Sequence, residues 1–107
     1  MGMPGRAVAV CRGKWLSGRE AAKAVIRRVE SRGQRLAAFF CESVLSCAGQ
    51  VFLPEGYLTE VYEEMRSHGA VCIADEVQCG FGRLGDVFWG FQLHVRSRFL
   101  HNCTAAS

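Results

Sequence analysis

Two apolar runs of strand length, each ending at a carboxylate and separated by one helical pattern, constrain this chain more than any other feature of its 107 residues. The first is Leu36-Ala37-Ala38-Phe39-Phe40-Cys41, which stops at Glu42; the second is Ala70-Val71-Cys72-Ile73-Ala74, which stops at Asp75 and Glu76. Neither alternates, as expected of strands buried on both faces. Between them Tyr57, Leu58, Val61, Tyr62 and Met65 recur on one helical face, with Gly69 as the stop. Glu60, Glu63 and Glu64 stand ahead of Arg66 and His68, which suits the helix dipole. The spacing predicts strands over 36–41 and 70–74 and a helix over about 56–68. Strand, helix, strand is a βαβ unit, whose strands lie parallel in one sheet. An α/β fold follows, with Glu42 and Asp75 just past the carboxyl ends of neighbouring strands, on the edge where open α/β sheets bind ligands. Acids also end strands as plain turn or cap residues, so position alone leaves both readings open.

Upstream, Ser17 precedes Glu20 in the S-x-x-E capping pattern, and Ala22, Val25, Ile26 and Val29 follow at helical spacing until Gly33. This predicts a helix over 18–32 after an irregular arm, residues 1–17, in which glycines at 2, 5 and 13 break any period. The net charge of +3 is uneven: residues 1–35 hold nine Lys or Arg against two acids, and the rest of the chain four against eight. Such a basic front can attract nucleic acid or acidic membrane, but no aromatic interleaving or groove-reading motif accompanies it. No apolar run reaches the roughly 18 to 20 residues of a membrane span. We therefore expect neither partner. Six cysteines without any C-x-x-C pair, and histidines at 68, 94 and 101 that form no cluster, argue for reduced thiols and no metal site.

Residues 71–85 read Val-Cys-Ile-Ala-Asp-Glu-Val-Gln-Cys-Gly-Phe-Gly-Arg-Leu-Gly. Gly80 to Gly85 also spell G-x-G-x-x-G, the dinucleotide fingerprint, but no acid follows Asp86 where a ribose-binding residue is needed. The segment instead resembles the cofactor motif of the class-III aminotransferases, a hydrophobic strand ending in Asp-Glu-[Val/Ile]-Gln with a glycine loop and an arginine after it, here Gly80-Phe81-Gly82-Arg83. Phe39-Phe40-Cys41-Glu42-Ser43, Gly49-Gln50 and Pro54-Glu55-Gly56-Tyr57-Leu58 extend the resemblance upstream, so that it covers about residues 21–93. Ser46-Cys47, Phe88-Trp89 and Phe91-Gln92 are most similar to the phospho-lyase branch of the family, whose substrates are phosphoethanolamine and 5-phosphohydroxy-lysine; Ser46-Cys47 favours the former.

The resemblance implies a βαβ part of the large domain of a fold-type-I enzyme dependent on pyridoxal 5'-phosphate (PLP), spanning 18–93. It implies that Asp75 faces the pyridine nitrogen of PLP, that Val77 lies against the ring, that Gln78 bonds the phenolic oxygen, and that Glu42 stands on the substrate side. No partner for Glu42 stands out in the sequence. It implies transaminase or phospho-lyase chemistry on a small phosphorylated amine, a homodimer or a dimer with a full-length relative, and a mitochondrial address, with cytoplasm as the alternative. The pattern breaks after Leu93: residues 94–107 form a divergent tail without the family's Schiff-base lysine, and only Lys14 and Lys23 occur in the chain. The expectation is a fragment or truncated isoform that is inactive alone, or a non-catalytic interaction form that docks on a full-length relative.

Overall fold

The computed structural model describes residues 8–11, 14–47, 49–95 and 103–106. Its elements are strands β1 (Val8–Cys11) and β2 (Lys14–Ser17), helix α1 (Gly18–Glu30), strand β3 (Ala38–Glu42), helix α2 (Tyr57–Ser67), strand β4 (Val71–Asp75), a 3-10 turn (Gly90–Leu93) and strand β5 (Cys103–Ala106). β3 and β4 pair in parallel, as the βαβ pattern requires, and β5 pairs in parallel on the other side of β4.

α1 starts where its sequence predicts. Ser17 Oγ accepts the Glu20 N–H at 3.2 Å and Glu20 Oε2 accepts the Ser17 N–H at 2.9 Å, a complete capping box. The helix ends at Glu30, two residues earlier than expected, because Arg32 N–H donates to Val29 O in 3-10 fashion and Gly33 takes φ +70°. Ala22 and Ile26 then face Leu58, Val61, Tyr62 and Met65 of α2, and this seam is the centre of the core. Phe39 of β3 meets Tyr62 edge-on, with ring centroids 5.8 Å apart, which fastens the sheet to the helix layer. Arg19 spans the helices from outside, its Nη2 2.8 Å from Glu63 Oε2 and its backbone N–H on Glu60 Oε2.

Three expectations need correction. The arm is not irregular throughout: β1 and β2 form an antiparallel hairpin from Val8↔Ser17 to Cys11↔Lys14. A glycine between two strand-length segments is a hairpin mark as much as a loop mark. Residues 1–7 lie outside the described residues. The divergent tail also contributes a strand, β5, whose Cys103 to Ala106 register with Cys72 to Asp75.

The third correction concerns burial. β3 and β4 are covered on one face only among the described residues: Cys72 and Ala74 are fully buried under α2, whereas Phe40 and Val71 are 59% and 47% exposed. An unbroken apolar run marks a strand that needs two covers, and α1 and α2 supply one.

The α1–α2 seam generates the first prediction. Leu58→Ala should cost about 2 to 5 kcal/mol in denaturant unfolding, since its side chain is fully buried. Val25→Ala, on the exposed side of α1, should stay within about 0.5 kcal/mol. Equal losses at the two positions would contradict this packing.

Candidate functional site

Glu42 and Asp75 close their strands as register partners. They are the last strand residues rather than the first loop residues, because the ladder begins at Ala38↔Val71 and runs five pairs. Both acids therefore stand side by side on the carboxyl edge.

Each is fixed by its own loop. Asp75 Oδ1 accepts the Val77 N–H at 3.0 Å, an Asx turn that carries the chain off the sheet. Gly80 N–H then donates to Glu76 O at 2.8 Å and tightens the turn, leaving Val77 61% exposed and Gln78 exposed beside it. The fold supplies the partner that the sequence does not reveal for Glu42: Ser46 donates both its N–H and its Oγ–H to Glu42 Oε2, each at 2.7 Å. These bonds hold the Glu42 carboxyl below its usual range, the backbone bond most strongly.

Sequence reasoning assigns no role to Glu76, and the structure gives it a central one. It is 1% exposed and accepts from Ser43 Oγ at 2.6 Å, Phe91 N at 2.8 Å and Gly90 N at 2.7 Å. Cys79 Sγ lies 3.4 Å from its Oε2, and burial, then this carboxylate, push the Cys79 thiol up. Gly90 has to be glycine here, since a Cβ would stand 2.7 Å from Cys79 Sγ and 3.1 Å from Glu76 Oε2. Strand alternation was the available signal: a second acid directly after Asp75 turns to the opposite side of the chain. The same clamp recruits His94, whose Nε2–H donates to Ser43 O at 2.8 Å, while Thr59 Oγ1 donates to His94 O. Phe91 and Val95 are buried, so among the large apolar side chains of 84–93 only Phe88 and Leu93 are exposed. Phe88 packs edge-on against Trp89 and Phe81.

A cleft of about 180 Å³ opens between the loop after β3 and the turn after β4, lined by Ser46, Gln50, Gln78 and Cys79 among others. Ligand pockets run from about 300 Å³ upward, so this cleft by itself falls below that range. Lys23 stands elsewhere. It shares a groove with Glu64 and His68 at the end of α2 that leads into the start of β4, away from the edge that holds Asp75. No group of three or more His, Cys, Asp or Glu is placed for a metal among the described residues.

A family model described as aminotransferase class-III matches residues 9–95. The chain belongs to the class-III aminotransferase family. The match takes in part of β1 and all of β2, which the motifs alone do not reach. Human alanine–glyoxylate aminotransferase 2, mitochondrial, is 53% identical over 64 residues, covering 60% of this chain and 12% of that protein. Ethanolamine-phosphate phospho-lyase homolog 1 of Caenorhabditis elegans is 46% identical over 72 residues, 67% of this chain and 15% of its own length. An Arthrobacter phospholyase solved in complex with phosphoethanolamine superposes with a TM-score of 0.65 at 36% identity, over 68% of this chain and 17% of that one. The chain thus spans about an eighth of the curated relatives it matches and has the α/β architecture of the fold-type-I PLP enzymes.

This class-III site yields two predictions. Glu76→Ala strands one hydroxyl and two backbone N–H groups in the interior, each costing about 1 to 3 kcal/mol, so stability should fall by about 3 kcal/mol or more. Glu76→Gln, which keeps an acceptor oxygen, should lose less; chemical denaturation measures both. Because the folded-state pKa of Glu42 lies below its ordinary 4.5, its contribution to stability is complete above about 4.5 and is lost as pH falls through the lowered value. Ser46→Ala removes one of the two bonds, so an NMR titration should find the Glu42 carboxyl moved back up and a shallower loss of stability in acid.

Proposed function

We propose that this chain carries the ring-binding wall of a PLP-dependent class-III enzyme of the phospho-lyase branch, for a phosphoethanolamine-type amine, and that by itself it does not turn substrate over. The carrying observation is the register pair Glu42↔Asp75 at the carboxyl edge, with Val77 and Gln78 exposed directly after it. The donor set suits PLP: a carboxylate, an apolar side chain and an amide, in the order that a protonated ring nitrogen, a ring face and a phenolic oxygen require. When bound, PLP supplies an electron sink for carbanionic charge.

The residues of this chain prepare it. Asp75 would hold the proton at the pyridine nitrogen of bound PLP, since an adjacent negative charge favours the pyridinium form. Its orientation is preset by the Val77 N–H. With PLP bound, Val77 would pack the ring from one side and Gln78 would donate its amide N–H to the phenolic oxygen. Glu42, kept ionised by Ser46, presents a negative charge on the substrate side, where it suits an ammonium group. The Caenorhabditis relative, named a phospho-lyase homolog, and the Arthrobacter phospholyase solved with phosphoethanolamine support a phosphorylated amine, while the human relative carries the name of an aminotransferase. The name of the human relative supports a mitochondrial address, with cytoplasm as the alternative.

Inactivity of the chain alone rests on its lysines. Lys23 stands away from Asp75, and no lysine occurs after it. A few contacts also face an association cost of about 4 to 15 kcal/mol in lost translational and rotational freedom. A second reading, docking on a full-length relative, is favoured by the bare apolar face at Phe40 and Val71; the family's own dimer is the related form.

The test is to titrate purified chain with PLP, reduce with borohydride, map any labelled residue and assay phosphate release from phosphoethanolamine. Weak binding, no stoichiometric label and no release are expected. A single stoichiometric label on Lys14 or Lys23 with turnover would overturn the proposal. Co-purification with a full-length relative, lost on Phe40→Asp, supports the docking reading.

A further inference from the structure

The sheet runs β3-β4-β5, so β3 is an edge strand. Val71 N–H donates to Ala37 O, and Ser43 N–H donates to Asp75 O, so the odd-numbered residues turn their backbone groups towards β4. Successive residues of a strand face opposite ways, and Ala38, Phe40 and Glu42 therefore turn theirs to the open side. Among the described residues no backbone group pairs with the N–H or C=O of Ala38 or Phe40 on that side. Both residues are exposed, Phe40 by 59%. Natural edge strands are guarded by charges, proline or bulges. Ala38-Phe39-Phe40-Cys41 has no charge and no proline, and its register with β4 is unbroken.

We propose that this edge pairs with the same edge of a second copy of the chain, antiparallel about a two-fold axis at Phe40, and joins the two sheets into one. Register favours this occupant. With Phe40 opposite Phe40 of the second copy, Ala38 stands opposite Glu42 of the second copy, and each of these facing pairs can exchange two hydrogen bonds. Charge selects the direction. Arg35 leads into β3 and Glu42 ends it, so antiparallel copies set the cationic end of one strand beside the anionic end of the other, whereas parallel copies set like beside like. The two exposed Phe40 rings then stand across the seam as an aromatic cross-strand pair.

A contact made by the same patch on both copies closes at two. With five strand residues from each copy it is small, so the dimer is weak and forms as concentration rises. The pairing does not draw on the PLP reading. It also differs from docking through the bare sheet face, because the outward backbone groups of β3 carry it.

The experiment follows the whole chain by sedimentation velocity over a concentration series, with amide exchange read at each residue of β3. The expected sedimentation coefficient rises to that of a dimer and no further. Exchange at Ala38, Phe40 and Glu42 should slow with concentration, while Phe39 and Cys41, which face β4, keep their rates. Ala38→Pro removes one outward N–H at the first residue of the edge strand, a position that tolerates proline. It should abolish the rise and leave Phe39 and Cys41 protected. Phe40→Lys, which sets like charges opposite each other at the axis, should do the same, and Arg35→Glu should raise the dissociation constant several-fold. A chain that stays monomeric throughout, assembly that continues past two copies, or association that survives both Ala38→Pro and Phe40→Lys would overturn the proposal. So would association that is lost in Val71→Asp without slowed exchange at Ala38 and Phe40, which would assign the contact to the sheet face.

Discussion

The buried carboxylate of Glu76 takes hydrogen bonds from Ser43, Gly90 and Phe91, groups that stand 33, 14 and 15 residues from it in sequence. A carboxylate removed from water needs its oxygens filled, and here the filling comes from two distant segments at once, the loop after β3 and the 3-10 turn. The consequence reaches both candidate acids. Ser43 follows Glu42, and Asp75 precedes Glu76, so one clamp holds the two strand ends in a common frame. Without it, the Asx turn at Asp75 and the Ser46 bonds at Glu42 would each order a loop, and the loops would be tied to each other by fewer bonds, among them Ser43 N–H to Asp75 O at 3.5 Å.

The helix layer supplies the apolar half of the stability and has its own narrow tolerance. Gly18, the first residue of α1, lies against the backbone of Tyr57, where a Cβ would collide with the carbonyl oxygen. That close approach lets Ala22 and Ile26 reach the α2 stripe and sets Arg19 over Glu60 and Glu63. All of this covers one face of the sheet. Phe40 and Val71 on the other face remain exposed, and apolar patches of this kind are contact surfaces as a rule.

Chemistry and packing divide cleanly along β4. Asp75, at the exposed end of its last peptide, is held by one neighbouring N–H and offers its charge outward; Glu76, one residue later, is turned inward and consumed by structure. The adjacent acids look equivalent in composition and differ in burial and bonding because successive residues leave an extended chain in opposite directions.

The sequence by itself determined what depends on near neighbours: the Ser17–Glu20 box that starts α1, the apolar stripe of α2, and the parallel βαβ order that places Glu42 and Asp75 on one edge. These are legible because hydrogen bonds over three or four residues and periodic burial leave a local imprint. The Asp-Glu-Val-Gln motif was equally plain, being contiguous. Only the tertiary structure decided which acid faces outward, that Ser46 holds Glu42, that Gly90 must lack a side chain, and that residues 103–106 add a strand to the sheet. Each of those depends on segments brought together by the packing of α1 and α2 on β3 and β4. An apolar run announces that it will be covered, but what covers it, and on how many faces, is a property of the assembled layers.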